Sequence, residues 1–179
     1  SNYNGATTSA VPFTISKATG YVNLSATSET VSYGTASKTF TVTSHHGGTL
    51  SVAQTTTTGA TASISGTTVT ITSISTLAAG TKITVRVTSA ETTNYTSAYK
   101  DYTLTIEASG SASFDITLSN NTFEYDGTEK TPTATVKVGS TTLKEGTDYD
   151  VSYKDNKDAG TATITITGKG NYAGSIGTK

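Results

Sequence analysis

The 179-residue sequence contains no cysteine, methionine or tryptophan, a single arginine and only two prolines. Without cysteine there is no disulfide, no thiolate metal site and no cysteine nucleophile. No apolar run approaches the roughly 18 residues needed to span a membrane as a helix. The N-terminus shows no positive start followed by an apolar core, which is the pattern of a signal peptide. The expectation is a mature segment or a piece of something longer. Twelve Lys and Arg stand against thirteen Asp and Glu, which speaks against a nucleic-acid binder. Leu, Ile, Val and Phe number only 31, low enough to raise the question of disorder. Disorder also requires high net charge, and here the net charge is -1, so a folded chain is the better reading.

What is abundant is threonine. The chain has 43 Thr and 22 Ser, and the branched Cβ of Thr favours strands over helices. Seventeen Gly, spread along the chain, punish any long helix. No window shows convincing helical spacing of apolar residues. Alternation dominates instead. Phe40 and Val42 alternate with Thr, as do Val69 and Ile71, Ile83, Val85 and Val87, and Tyr102, Leu104 and Ile106. Each run reads as a half-buried strand, apolar side inward and Thr side to water. Gly59, Gly66 and Gly80 mark turns between them. Residues 107–113, Glu-Ala-Ser-Gly-Ser-Ala-Ser, read as a small-residue linker and the best domain boundary. Beyond it alternation resumes at Ile116 and Leu118, Phe123 and Tyr125, Ala134, Val136 and Val138, Tyr149, Val151 and Tyr153, and Ala162, Ile164 and Ile166. The reading is all-β: two tandem small β-sandwich, immunoglobulin-like domains.

The pair Asn-Tyr occurs at Asn2-Tyr3, Asn94-Tyr95 and Asn171-Tyr172. The first is followed by Phe13-Thr14-Ile15 and the second by Tyr102-Thr103-Leu104-Thr105-Ile106, whereas nothing comparable follows the third. This predicts a repeat array. Its parts are residues 1–16, the tail strand of a preceding repeat or the first strand of domain 1; domain 1 over 17–107; a linker over 108–113; and domain 2 over 114–179. Domain 2 is expected to lack its last strand, with a β-grasp-like arrangement as the alternative. An unpaired sheet edge there, and the apolar alternation of Val11, Phe13 and Ile15, suggest head-to-tail strand exchange between molecules.

Four motifs in order carry a resemblance: Phe123-Glu124-Tyr125-Asp126-Gly127, Thr131-Pro132, Leu143 to Tyr149, and Gly168 to Gly174. Residues 114–179 closely resemble the Tyr-Asp-Gly type repeat of bacterial surface proteins. Residues 17–107 resemble bacterial immunoglobulin-like repeats, through Tyr33-Gly34-Thr35, Gly47 to Val52 and Thr84 to Val87. The resemblance implies an extracellular, bacterial cell-surface location in a large adhesin-like protein. It implies a spacer or display role, or binding of a host glycan or glycoprotein such as an immunoglobulin. It implies neighbouring repeats as partners and no catalytic residue, so no enzyme and no cofactor are expected.

The remaining candidates are weaker. His45 and His46 are adjacent, so on a strand they point to opposite faces and share a metal poorly; a loop is expected. Gly168 to Ala173 imitates a dinucleotide fingerprint but has no helix to receive a phosphate. Asp148, Asp150, Asp155 and Asp158 cluster near one hairpin, where Lys154 and Lys157 satisfy much of their charge; calcium would want more oxygens. Lys82 and Lys137 lie on the polar phase of their strands, against an intramolecular Lys cross-link. Tyr102, Tyr125, Tyr149 and Tyr153 share the phase of apolar neighbours and read as core. Tyr95 and Tyr99 are less constrained and are the candidate binding residues.

Overall fold

The computed structural model describes residues 10–179; Asn2-Tyr3 lies outside them. Eight strands come first: β1 (Val22–Leu24), β2 (Ser28–Ser32), β3 (Lys38–His45), β4 (Leu50–Gln54), β5 (Thr61–Ser65), β6 (Thr68–Thr72), β7 (Lys82–Ser89) and β8 (Ala98–Glu107). They form two four-stranded sheets of order β1-β3-β6-β5 and β2-β8-β7-β4. Every neighbouring pair is antiparallel except β2 and β8, which run parallel. Thr alternation explains the layering. In β7 the side chains of Ile83, Val85 and Val87 are fully buried while Lys82 faces water. In β8 the same holds for Tyr102, Leu104 and Ile106. The two inner faces meet at Phe40 and Tyr102, whose rings stack with centroids 3.9 Å apart.

Tyr102 is buried, yet its hydroxyl is satisfied. It donates to Glu29 Oε2 at 2.8 Å, and Lys38 Nζ donates to the other carboxylate oxygen at 2.7 Å. Burial pushes the Tyr102 hydroxyl far up, and the bond to Glu29 adds to this. The hydrogen bonds from Lys38 and then Tyr102 hold the Glu29 carboxyl below its ordinary 4.5. Glu29 therefore contributes stability that is fully present above pH 4.5 and is lost as pH falls through its lower folded value. The expected result for Glu29→Gln is lower stability at neutral pH and a shallower loss on acidification. Urea titrations across the acid limb check this.

Six strands follow: β9 (Asp115–Leu118), β10 (Ala134–Val138), β11 (Thr141–Thr142), β12 (Tyr149–Lys154), β13 (Thr163–Gly168) and β14 (Ile176–Thr178). They form two three-stranded sheets, β11-β10-β9 and β12-β13-β14. A separate core gathers Ile116, Ala134, Val136, Leu143, Tyr149, Ile164, Ile166 and Tyr172. Tyr149 and Tyr153 tie the layers together, their hydroxyls donating to Ala134 O at 3.3 Å and Pro132 O at 2.8 Å. Among the described residues the only helical element is a 3-10 turn at Gly170–Tyr172, so nothing crosses a sheet as a β-grasp requires. Among the described residues no helix is long and apolar enough to cross a membrane.

The all-β, sandwich-type reading holds, and four particulars of the sequence reading change. The last strand of the second unit is present but short: β14 pairs with Thr165, Ile166 and Thr167 of β13. Residues 10–16 form no strand, so they are not the first strand of the first sheet. Val11, Phe13 and Ile15 are 86%, 84% and 84% exposed. Tyr125 is 66% exposed and Phe123 45% exposed rather than core. Alternation alone does not make a strand where no neighbour supplies the ladder. Finally, residues 108–113 are hydrogen-bonded to the second unit, as the junction shows.

Candidate functional site

Both remaining Asn-Tyr pairs lie in the connection that leads into the last strand of their unit, Asn94-Tyr95 before β8 and Asn171-Tyr172 before β14. Both do the same thing with the backbone. The Ala18 N–H donates to Asn94 O at 2.8 Å, and the Ser109 N–H donates to Asn171 O at 2.8 Å. Each loop thus clamps the chain that approaches its unit. The clamp is sealed by rings. Tyr95 meets Tyr21 edge-on at 6.5 Å and His46 at 5.5 Å. Tyr172 meets Phe114 at 6.5 Å and Tyr33, from the first unit, edge-on at 5.7 Å.

The second clamp also grips the first unit. Asn171 Oδ1 accepts the Ala79 N–H at 2.9 Å. Buried Ser175 donates its hydroxyl to Ser109 O at 2.6 Å and accepts the Ala112 N–H at 2.9 Å. From the other side, Tyr33 N–H donates to Glu107 O at 2.7 Å. The segment is therefore fastened at Ser109 and Ala112, where small side chains let the loop backbone come close. Asn171→Ala removes the acceptor of Ala79 N–H while sparing the backbone clamp. The expected cost is about 1 kcal/mol, read as faster hydrogen exchange at Ala79 with little change at Ser109.

The histidines depart from the expected loop. His45 ends β3 and the chain turns at Gly47 and Gly48, so strand alternation stops and both rings reach Ser89 Oγ, each at 3.4 Å. His46 is buried. Its Nδ1 accepts the Tyr21 N–H at 3.0 Å, and its Nε2 donates to Ala90 O at 2.8 Å. His46 is a pin joining the first clamp to β3 and β7, a role that the dipeptide alone does not signal.

Tyr95 and Tyr99 fall in separate places. Tyr95 is half-buried in the clamp. Tyr99 is 59% exposed on the outer side of β8. The Arg86 guanidinium lies 3.8 Å above the Tyr99 ring centroid. Arg86 also makes a two-pronged pair with Asp101, Nε to Oδ1 at 2.7 Å and the terminal nitrogen to Oδ2 at 2.8 Å. That pair holds the Asp101 carboxyl below its ordinary range and raises Arg86. The cation covers one face of the Tyr99 ring, and the residue stays largely exposed.

The acidic hairpin is dispersed. Asp150 pairs with Lys169 at 3.0 Å, Asp155 faces Lys154 at 3.9 Å, and Asp148 accepts the Lys144 N–H at 2.8 Å. Among the described residues no group of three or more His, Asp or Glu is placed to hold a metal ion. Lys82 and Lys137 are exposed, as their strand phase implies. The dinucleotide-like run folds as a single 3-10 turn at Gly170–Tyr172, far too short to receive a phosphate. Lys130 holds the Asp126 carboxyl well below its ordinary range, and the Thr128 hydroxyl and N–H assist. Every carboxyl displaced in this way, Glu29, Asp101 and Asp126, has a cation as its first cause. Such shifts are those of ion pairs. Neither a family model nor a curated protein matches the chain.

Proposed function

We propose that the chain is a pair of non-enzymatic repeat modules from a bacterial cell-surface or secreted adhesin-like protein, acting as a spacer or display stalk outside the cell. The observation that carries this reading is the repeated clamp. Two Asn-Tyr loops grip the approaching chain through the same hydrogen bond, and the second also holds the unit before it through Ala79 and Tyr33. A stalk needs this property: each module fixes the path of the chain that links it to its neighbour. Thr-lined outer faces suit exposure to water on both sides of thin sheets. The resemblance to bacterial immunoglobulin-like and Tyr-Asp-Gly type repeats agrees with this role.

A second reading has one observation in its favour. Tyr99, Arg86 and Asp101 form an exposed polar platform, which suits a host glycan or the surface of a host glycoprotein such as an immunoglobulin. The stalk reading expects no saturable binding on a glycan array or with serum immunoglobulin, and no difference between the native chain and Tyr99→Ala. Saturable binding that Tyr99→Ala abolishes would replace it with the binding reading.

A further inference from the structure

In the first unit the chain that leads in is held against the chain that leads out, and the two run in the same direction. Ala18 bridges Tyr95 in parallel. Its N–H donates to Asn94 O at 2.8 Å, and the Thr96 N–H donates back to Ala18 O at 2.9 Å. The Gly20 N–H adds a bond to Thr96 Oγ1 at 3.1 Å. Next, β1 pairs with β3 of the facing sheet. All of β2 then lies parallel to β8, from Ser28 beside Thr103 to Ser32 beside Glu107. The Thr103 N–H, on Thr27 O at 2.9 Å, flanks this ladder at one end. The Tyr33 N–H, on Glu107 O at 2.7 Å, flanks it at the other.

The direction decides how these bonds meet a pull. Tension along the chain draws residue 16 backwards and the end of β8 forwards. In a parallel pair those two points lie at opposite ends of the ladder, so the force runs along the strands and the bonds share it. An antiparallel pair would bring entry and exit to the same end, where bonds open one at a time. A single hydrogen bond resists little, because water replaces it; bonds that must yield together resist more. A buried brace adds to the ladder. Glu29 of β2 accepts from Tyr102 of β8 at 2.8 Å and from Lys38 of β3 at 2.7 Å. Both bonds end on a carboxylate, and such bonds are stronger than neutral ones. Sliding β2 along β8 requires breaking them as well.

We propose that the first unit is a force-bearing module, in which the Ala18–Tyr95 clamp, the β2–β8 ladder and the Glu29 brace form one shear lock between entry and exit. Forced unfolding is governed by the barrier to leaving the native state, and the lock sets that barrier for tension along the chain. The use of such resistance rests on the stalk reading. The resistance itself rests on strand direction, so binding of a glycan or an immunoglobulin would replace the stalk reading and leave the lock standing.

Single-molecule pulling of the 179-residue chain in two directions tests this. The chain has no cysteine, so handles attach only where cysteines are introduced, and Ser16, Ser97 and Ser111 are exposed. Handles at Ser16→Cys and Ser111→Cys load the lock from opposite ends, along the strands. Handles at Ser16→Cys and Ser97→Cys pull the same two segments apart from one end. At equal loading rate the first geometry is expected to need about twice the force of the second or more, because its bonds yield together. Tyr102→Phe keeps the ring and removes the hydroxyl of the brace. It is expected to lower the along-chain force by a larger fraction than the peeling force, whereas a general loss of stability lowers both alike. Equal forces in the two geometries overturn the proposal. So does a Tyr102→Phe variant that lowers both forces by the same fraction, or neither.

Discussion

Tyr102→Ala is expected to unfold the first unit while leaving the second folded. Tyr102 is fully buried and stacks on Phe40 at 3.9 Å, so it joins the two inner faces of a thin sandwich. Removing a buried aromatic ring costs about 3–5 kcal/mol through lost burial and the cavity left behind. The whole stability of a small domain is only about 5–15 kcal/mol. The same change strips Glu29 of its hydroxyl donor and leaves the carboxylate with Lys38 alone. Tyr102→Phe separates the two contributions: it keeps the ring and deletes only the hydrogen bond, for an expected cost of about 1–2 kcal/mol. Guanidinium titrations followed by tyrosine fluorescence and by amide signals from each core report which unit is lost. Equal loss in both cores would show that they do not fold separately.

Gly168→Ala is the counterpart in the second unit. The backbone passes so close to the Asn-Tyr turn that a Cβ at position 168 would lie 2.1 Å from Tyr172 O and 2.9 Å from Tyr172 C. No rotation of a side chain relieves a clash between a Cβ and backbone. Either β13 or the clamp must shift, and both contribute to the core through Ile166 and Tyr172. Overpacking of this kind costs about 3 kcal/mol. It also strains the Gly168 N–H bond to Ser175 O at 2.8 Å. Because Ser175 fastens Ser109 and Ala112, the junction should loosen together with the fold. Thr167→Ala, one residue away and exposed, should stay within about 0.5 kcal/mol of the native chain.

Sequence alone carries the strands that have strong alternation. β7 and β8 are visible because Ile83, Val85 and Val87 and Tyr102, Leu104 and Ile106 repeat with period two, and Thr between them marks the wet face. β2 is not visible. Its sequence, Ser-Glu-Thr-Val-Ser, has one apolar residue, and the inward phase also carries Glu29, whose place depends on a Tyr and a Lys brought from β8 and β3. Phe123 and Tyr125 fail in the opposite direction: they alternate like a strand, but a ladder needs a neighbour. The echo of Asn-Tyr is legible, yet its purpose is not, because the clamp uses the Asn carbonyl, a group every residue has. What singles out Asn171 is its side-chain bond to Ala79, a residue distant in sequence. His46 hides for the same reason, since its hydrogen-bond partners come from two distant segments, at Tyr21 and at Ser89-Ala90.

A stalk requires that the Asn-Tyr clamp make the junction between modules rigid. Backbone ¹⁵N relaxation of the full chain tests it most directly. The amides of both cores are expected to share one rotational correlation time, and residues 108–113 to have order parameters as high as the neighbouring strands. Two shorter, unequal correlation times with low order parameters over 108–113 would contradict it.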